Sequence, residues 1–306
     1  MSELSRTRTA WMIACLVLIW GLSWPIYKMA LHDTPPILFA GLRCLLGGLL
    51  LTILALPRYR NIRWQQTWHI YLISALLNAF LFFVLQTVGL QYLPSGLFSV
   101  IVYLQPVLVG LLAWIWLGES MSVLKIVGLL LGFVGVACIS MESLSGQISW
   151  VGILFALGSA VSWAMGTVYT KKIADAVDAL WLVAVQFTVG GLAMTAFGTV
   201  VEQWTRIGWG HPSYLIGLVY GAVFGVAIAW LLYFRLVTSG EASKVASFTF
   251  MVPLVAVLTG TVFLHEPFTL NLFAGIVLIV VSIYLVNRPA RAALRPKKQS
   301  VEVLRH

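Results

Sequence analysis

Apolar residues run through this chain in long unbroken blocks instead of alternating with polar ones. Ten such blocks stand out, at residues 10–29, 36–56, 70–90, 95–117, 123–141, 150–170, 180–201, 214–236, 242–264 and 270–286. About 20 consecutive apolar residues are what an α-helix needs to cross the hydrocarbon core of a bilayer. Within lipid every backbone polar group must find its partner inside the segment, so each block predicts a spanning helix. The first block follows Arg6 and Arg8 in the manner of a signal peptide, but it is too long for one and lacks a small-residue cleavage site, so it counts as a span.

The blocks repeat. The stretch LQPVLVGLLAWIWLGE, ending at Glu119, corresponds to MVPLVAVLTGTVFLHE, ending at Glu266, so that Pro106 matches Pro253, Leu117 matches Leu264 and Gly128 matches Gly275. Ser23 and Trp24 match Ser162 and Trp163, and Gly47, Gly48 and Thr52 match Gly190, Gly191 and Thr195. Each half holds an odd number of spans, so the second is expected to enter the membrane in the opposite sense, as in the inverted repeats of secondary transporters. The expected fold is an all-α integral membrane protein with ten transmembrane helices in two inverted five-helix halves, 1–145 and 146–288, followed by a basic tail, 289–306.

Charge supplies the orientation. With the N-terminus inside, sixteen of the nineteen basic residues fall on inner segments; Lys28 and Arg206 lie outside, and Arg43 lies within a span. Under the positive-inside rule both termini are therefore expected in the cytoplasm, with the chain in the inner membrane. The net charge of +9 thus records topology and gives no reason to expect a nucleic-acid partner. Only 9% of residues are charged against 60% apolar, and the mean hydropathy is +0.96, which excludes a water-soluble fold. Cys15, Cys44 and Cys138 sit in apolar runs with no metal or redox spacing.

The small residues, helix-central proline, apolar run into LGE and glycine-rich following helix of residues 95–135, repeated over residues 242–282, resemble the EamA-type drug/metabolite transporter family. WGLSWP from Trp20 and the Leu42 and Arg43 pair are similar to its first-half signature. The resemblance covers roughly residues 10–288. It implies a ten-helix inner-membrane permease that commonly exports amino acids or related metabolites. The halves differ where Gln186 replaces Arg43 and where His265 and Glu266 replace Gly118 and Glu119.

Candidate binding residues follow from the cost of exposing polar groups to lipid. Ser99 and Tyr103, with Ser95, Pro106 and Gly110, share one helical face. Trp20, Trp24 and Tyr27 share a face beside Ser23, and Ser159, Ser162, Trp163 and Gly166 repeat the theme. Ser74 and Asn78 share a third. Ser23, Trp24, Asn78, Ser99, Tyr103, Trp163 and Phe250 are the expected substrate contacts, with membrane-belt aromatics and interhelical hydrogen bonds as the plainer reading. Pro106 and Pro253 are expected to kink their helices or simply to shape packing. Arg43 and Glu266 are expected to form an outer latch, and Gln186 and Glu119 a weaker inner contact. The alternative is that Arg43 snorkels and Glu266 merely ends its helix. The glycines at 217, 221 and 225, and at 128, 132 and 135, read as close-packing positions.

The acids lie at span ends, loops and tails, and the histidines lack a zincin spacing, so no catalytic set, metal site or cofactor is expected. The expectation is a secondary transporter, an exporter of small neutral or zwitterionic solutes such as amino acids, working by alternating access. A multidrug or lipid-linked solute carrier of the same fold is the alternative, and an intramembrane enzyme is weaker still. The partners are a small-molecule substrate and the bilayer. The sequence assigns no oligomeric state.

Overall fold

The computed structural model describes residues 5–93, 95–141, 149–264 and 269–288. These residues form helices and turns, with no strand among them. We number the helices α1 (Arg6–Ala30), α2 (Pro36–Ala55), α3 (Trp64–Gly89), α4 (Ser95–Val102 and Gln105–Leu117) and α5 (Val123–Ile139). The second set is α6 (Trp150–Lys172), α7 (Ala179–Val201), α8 (Pro212–Ser239), α9 (Ala242–Ser247, Phe248–Phe250 and Met251–Leu264) and α10 (Leu270–Asn287). Eight helical stretches are long and apolar enough to cross a membrane; Val123–Ile139 and Ala242–Ala256 are apolar but shorter.

Caps and connections set the ends. Ser5, Ser122, Asp178 and Thr269 each accept a backbone N–H of the first turn they precede. Helix α3 begins six residues before its apolar block, because the hydroxyls of Thr67 and Tyr71 donate to the carbonyl of Ile62 and fold the polar lead-in back on itself. Gly118 closes α4 in the left-handed region at φ 66°, a conformation that costs a residue with a Cβ and positions Glu119 just beyond the helix.

Irregularities fall at matching places in the two halves. Helices α3 and α8 both pass through a π-helical stretch, Ala75–Leu81 and Gly221–Ile228. Helix α4 breaks at Tyr103 and Leu104, just ahead of Pro106, and α9 tightens to a 3₁₀ turn at Phe248–Phe250, just ahead of Pro253. A proline removes the amide that would bond the carbonyl four residues earlier, so both breaks lie where that donor is lost.

The matching helices also pack on each other. Along α2 and α7, Leu38 meets Gly198, Gly41 meets Thr195, Gly191 meets Leu45 and Gly48 meets Thr188. One number rises as the other falls, so the pair is antiparallel. A Cβ on Gly48 would strike the Thr188 amide nitrogen, and one on Gly191 the Leu45 amide nitrogen. Helices α5 and α10 are likewise antiparallel: a Cβ on Gly128 would stand 3.0 Å from the Ser282 carbonyl oxygen and one on Gly275 2.7 Å from the Gly135 carbonyl oxygen. Backbones approach this closely only over small residues.

Candidate functional site

Helices α1, α3, α6, α7 and α8 bring an aromatic cluster into the middle of the bundle. The Trp20 ring lies 5.8 Å from Trp163, 5.6 Å from Trp230 and 5.3 Å from Tyr233, centroid to centroid. Phe82 packs 5.1 Å from Trp163, and Phe187 5.1 Å from Trp230. The contacts are mostly edge-on or tilted, the geometry that ring quadrupoles favour. Helix α1 anchors to α8 through the Trp20 indole, which donates to the Gly225 carbonyl at 3.3 Å.

Polar groups thread this cluster, and several lack partners. The Gln105 amide donates to the Tyr233 hydroxyl at 3.2 Å, and that hydroxyl shares a 3.1 Å bond with Thr167. The Asn78 amide donates to Gln186 and to Thr170, both at 3.4 Å. Its side chain fills the hollow over Gly166, where a Cβ would collide with the Asn78 carbonyl oxygen. Trp163 Nε1, Asn78 Oδ1, Gln105 Oε1, Gln186 Nε2 and Arg43 Nε are all buried without a hydrogen-bond partner. Orphan buried polar atoms cost about 1–3 kcal/mol each. Tyr233→Phe leaves the Gln105 amide with no protein partner, so a loss of about 1–3 kcal/mol is expected in thermal denaturation of the detergent-solubilised protein.

The expected contacts are distributed unevenly. Asn78 and Trp163 belong to the central set. Ser23 bonds back to the Ile19 carbonyl at 2.8 Å. Tyr103 and Phe250 pack together in a second apolar cluster with Val136 and Ile279, against which Trp20 also rests. Ser99 lies on the α4 segment before the break, so the face it was expected to share with Pro106 is interrupted at Tyr103. The side chain of Trp24 and the whole of Glu266 lie outside the described residues. Trp230, Tyr233, Thr167, Thr170 and Gln105 were not expected. The available signal was the amide placed directly before the helix-central Pro106 and the aromatics spaced three and four apart at 230, 233 and 234.

The inner contact expected between Glu119 and Gln186 is not formed, because each is taken by other partners. Glu119 accepts from Lys171 Nζ at 2.7 Å, from the Ser243 hydroxyl at 2.6 Å and from the Ala242 amide at 2.6 Å. Lys125 Nζ stands 3.9 Å from Glu119 and 2.7 Å from Glu241, which also binds Lys244 at 2.6 Å. This knot ties the turn after α4 to α5, to the end of α6 and to the start of α9. Burial raises the Glu119 carboxyl, but the bonds from Lys171, Ser243 and Ala242 more than offset it and hold it below the ordinary 4.5. The same opposition, burial against Lys125 and Lys244, leaves Glu241 lowered.

At the opposite end both Glu202 oxygens accept the first amides of α2, Ile37 at 2.9 Å and Leu38 at 2.7 Å. Asp33 binds His211 at 2.8 Å and also accepts from Ser213. Serine and histidine each bond the carboxylate there and no Ser–His hydrogen bond joins them, so the trio lacks the relay order of a hydrolase. A 480 Å³ cavity opens at this end, lined by His32, Thr34, Gln91, Gln203 and Arg206 among others.

Two matches to the EamA-like transporter family model, over residues 7–141 and 150–288, cover nearly the whole described bundle. The chain belongs to the EamA-like transporter family. It is therefore a multi-pass membrane protein of a transporter family. It is 54% identical to "Uncharacterized transporter YvbV" of Bacillus subtilis over 95% of each chain. It is 26% identical to the "Probable amino-acid metabolite efflux pump" of Escherichia coli K12, over 88% of this chain and 91% of the relative. One solved crystal structure shares the fold with a TM-score of 0.81 over 92% of this chain and 97% of the other, at 18% identity.

Proposed function

We propose that this EamA-like chain is a ten-span secondary exporter of small neutral or zwitterionic metabolites, amino acids foremost, working by alternating access between two inverted halves. The observation that carries the reading is the central cluster, where Trp20, Trp163, Trp230 and Tyr233 surround buried amide and indole atoms without partners. An amphipathic organic solute supplies both the apolar surface and the hydrogen bonds such a site lacks. The printed name of the Escherichia coli relative, an amino-acid metabolite efflux pump, supports the solute class. The antiparallel packing of α2 on α7 and α5 on α10, through matched glycines, supports the inversion.

In this reading both termini and the Glu119 knot face the cytoplasm, and the Asp33 and Glu202 end faces outward, in the inner membrane. Single cysteines, on a background without Cys15, Cys44 and Cys138, check the orientation in intact cells. Residues 58–63 are expected to be protected from an impermeant reagent and residues 202–211 to react; the reverse pattern overturns it.

Counterflow in proteoliposomes against a panel of amino acids tests the function. Exchange of at least one neutral amino acid above protein-free vesicles is expected. Movement of lipophilic cations such as tetraphenylphosphonium alone would replace this reading with a multidrug carrier.

A further inference from the structure

Arg43 is a buried cation in need of a partner. It lies on α2 with 8% of its surface exposed, inside a predicted span. Its guanidinium carbon stands 4.3 Å from the centre of the Tyr27 ring, 4.8 Å from Phe83 and 5.7 Å from Phe39. Gly221, in the π-helical stretch of α8, leaves the space that the side-chain stem and the Tyr27 ring occupy: a Cβ there would stand 3.1 Å from Arg43 Cδ and 3.1 Å from the Tyr27 ring.

Aromatic rings surround the guanidinium but do not take the place of oxygen acceptors for its five in-plane N–H donors. No ion pair or hydrogen bond engages it among the described residues, and Nε is fully buried without a partner. Among the described residues the acids at the nearer end are occupied elsewhere, Glu202 by the α2 amides and Asp33 by His211 and Ser213, while Glu266, the expected partner, lies outside them. An arginine at such depth costs about 2.5–3.5 kcal/mol on insertion scales, and a cation–π contact returns about 0.5–2 kcal/mol. What remains unmet is a planar anion presented to the edge of the fork.

We infer that Arg43 anchors the carboxylate of the transported solute, so that the substrates are amino acids and not their amides or amines. A carboxylate matches the guanidinium fork in shape and, with one charge, neutralises it. A phosphomonoester carries about −1.5 to −2 at neutral pH and would leave uncompensated charge in apolar surroundings. Phe83 links the anchor to the central cluster, since its ring lies 4.7 Å from Phe82 and 6.4 Å from Trp230. A solute held at Arg43 therefore extends its organic part along Phe83 toward the tryptophans. The second half has Gln186 at the matching depth, already bonded to Asn78, so there is one anchor and it is in the first half. The inference rests on the exporter reading above and narrows its solute class.

Proteoliposomes holding the full chain provide the test. Counterflow of radiolabelled leucine and phenylalanine is competed with each unlabelled amino acid, its amide and its parent amine. Charge-assisted hydrogen bonds are worth about 1.5–3 kcal/mol, so the wild type is expected to prefer acid over amide by roughly 10- to 150-fold. Arg43→Gln should bring that ratio close to one by weakening the acids alone, and Arg43→Lys should restore part of it. Arg43→Met supplies a readout that a structural role would move the other way. Removing an unpaired buried charge should leave the ligand-free melting temperature equal or higher while abolishing its rise with added leucine or phenylalanine.

A wild type that exchanges acid and amide equally overturns the anchor and leaves the exporter standing. Arg43→Gln that weakens both equally, or Arg43→Met that melts well below wild type, assigns the residue to packing and also overturns it. A wild type that moves no member of the panel removes the amino-acid reading itself, and the anchor with it.

Discussion

Glu119→Ala is expected to open the end of the bundle that the Lys125, Lys171, Glu241 and Lys244 knot now closes. The Glu119 side chain is only 8% exposed, Lys125 5% and Lys171 21%. Removing one partner of such a buried pair costs about 3–5 kcal/mol, since the other charges stay behind unpaired. At 1.4 kcal/mol per factor of ten, the closed state should lose at least about 100-fold of its advantage over the open one, provided the knot breaks on opening. A cysteine at Thr170, fully buried in α6, reports this. On the cysteine-free background it should be protected in the parent and label at least about 100-fold faster with Glu119→Ala. Labelling at the parent rate would show that the knot contributes nothing to closure.

The knot combines two effects that a charge exchange separates. Glu119 neutralises Lys171 and also caps the first amides of α9 at Ala242 and Ser243. Glu119→Lys with Lys171→Glu should restore attraction between α4 and α6 but leave α9 uncapped, a loss of about 1 kcal/mol. Partial recovery of protection is therefore expected from the double exchange. The pH dependence has a definite sign. Both carboxyls are lowered from 4.5 in the folded protein, so their contribution is complete above that value and is lost as pH falls through the lowered folded values. Labelling at Thr170, taken relative to an exposed reference cysteine at the same pH because the thiolate is the reacting form, should be flat between pH 6 and 8 and rise only in acid below the ordinary carboxylate range.

Much of the scaffold was legible because lipid makes strong demands on sequence. The apolar blocks coincide with the helices to within a few residues except at α3, whose start depends on hydroxyls bonding a loop carbonyl and not on hydropathy. The glycines were legible as contact positions, since a glycine inside an apolar helix has few other uses. Their partners were not: that Gly48 meets Thr188 while Gly191 meets Leu45 is a property of two helices more than a hundred residues apart. The π-helical stretches in α3 and α8 left no local signal, because an extra residue per turn is stabilised by what packs against it. The candidate site was read least well. Tyr27, Phe39 and Phe83 come from three helices, so no window of sequence reveals that they enclose Arg43. The inverted repeat pairs Glu119 with Gln186 as the counterparts of Glu266 and Arg43, and a repeat says nothing of Lys171 and Ser243 arriving from α6 and α9.

Gly191→Ala should lower stability by about 1–3 kcal/mol, the usual cost of overpacking, although alanine is the better helix former by about 1 kcal/mol. The packing term wins because of what the new methyl meets. At Gly191 the obstacle is the Leu45 amide nitrogen and Cα, and at Gly48 the Thr188 amide nitrogen. Backbone atoms in a helix cannot turn aside, so α2 and α7 must separate along their whole antiparallel contact. Gly158→Ala in α6 is the control, because there the nearest atom is the Leu85 Cδ1 methyl at 3.1 Å, the end of a flexible side chain. Helix propensity then decides, and the expected change is neutral or stabilising. Thermal denaturation of the purified Gly48→Ala, Gly191→Ala and Gly158→Ala variants in one detergent measures the ordering. The double variant carrying Gly48→Ala and Gly191→Ala should cost less than the two single losses added together, since the separation forced at one contact already relieves the other one turn away. Full additivity would mean that the two contacts yield independently, and the seam between α2 and α7 would then be a series of local fits instead of one rigid surface on which the halves meet.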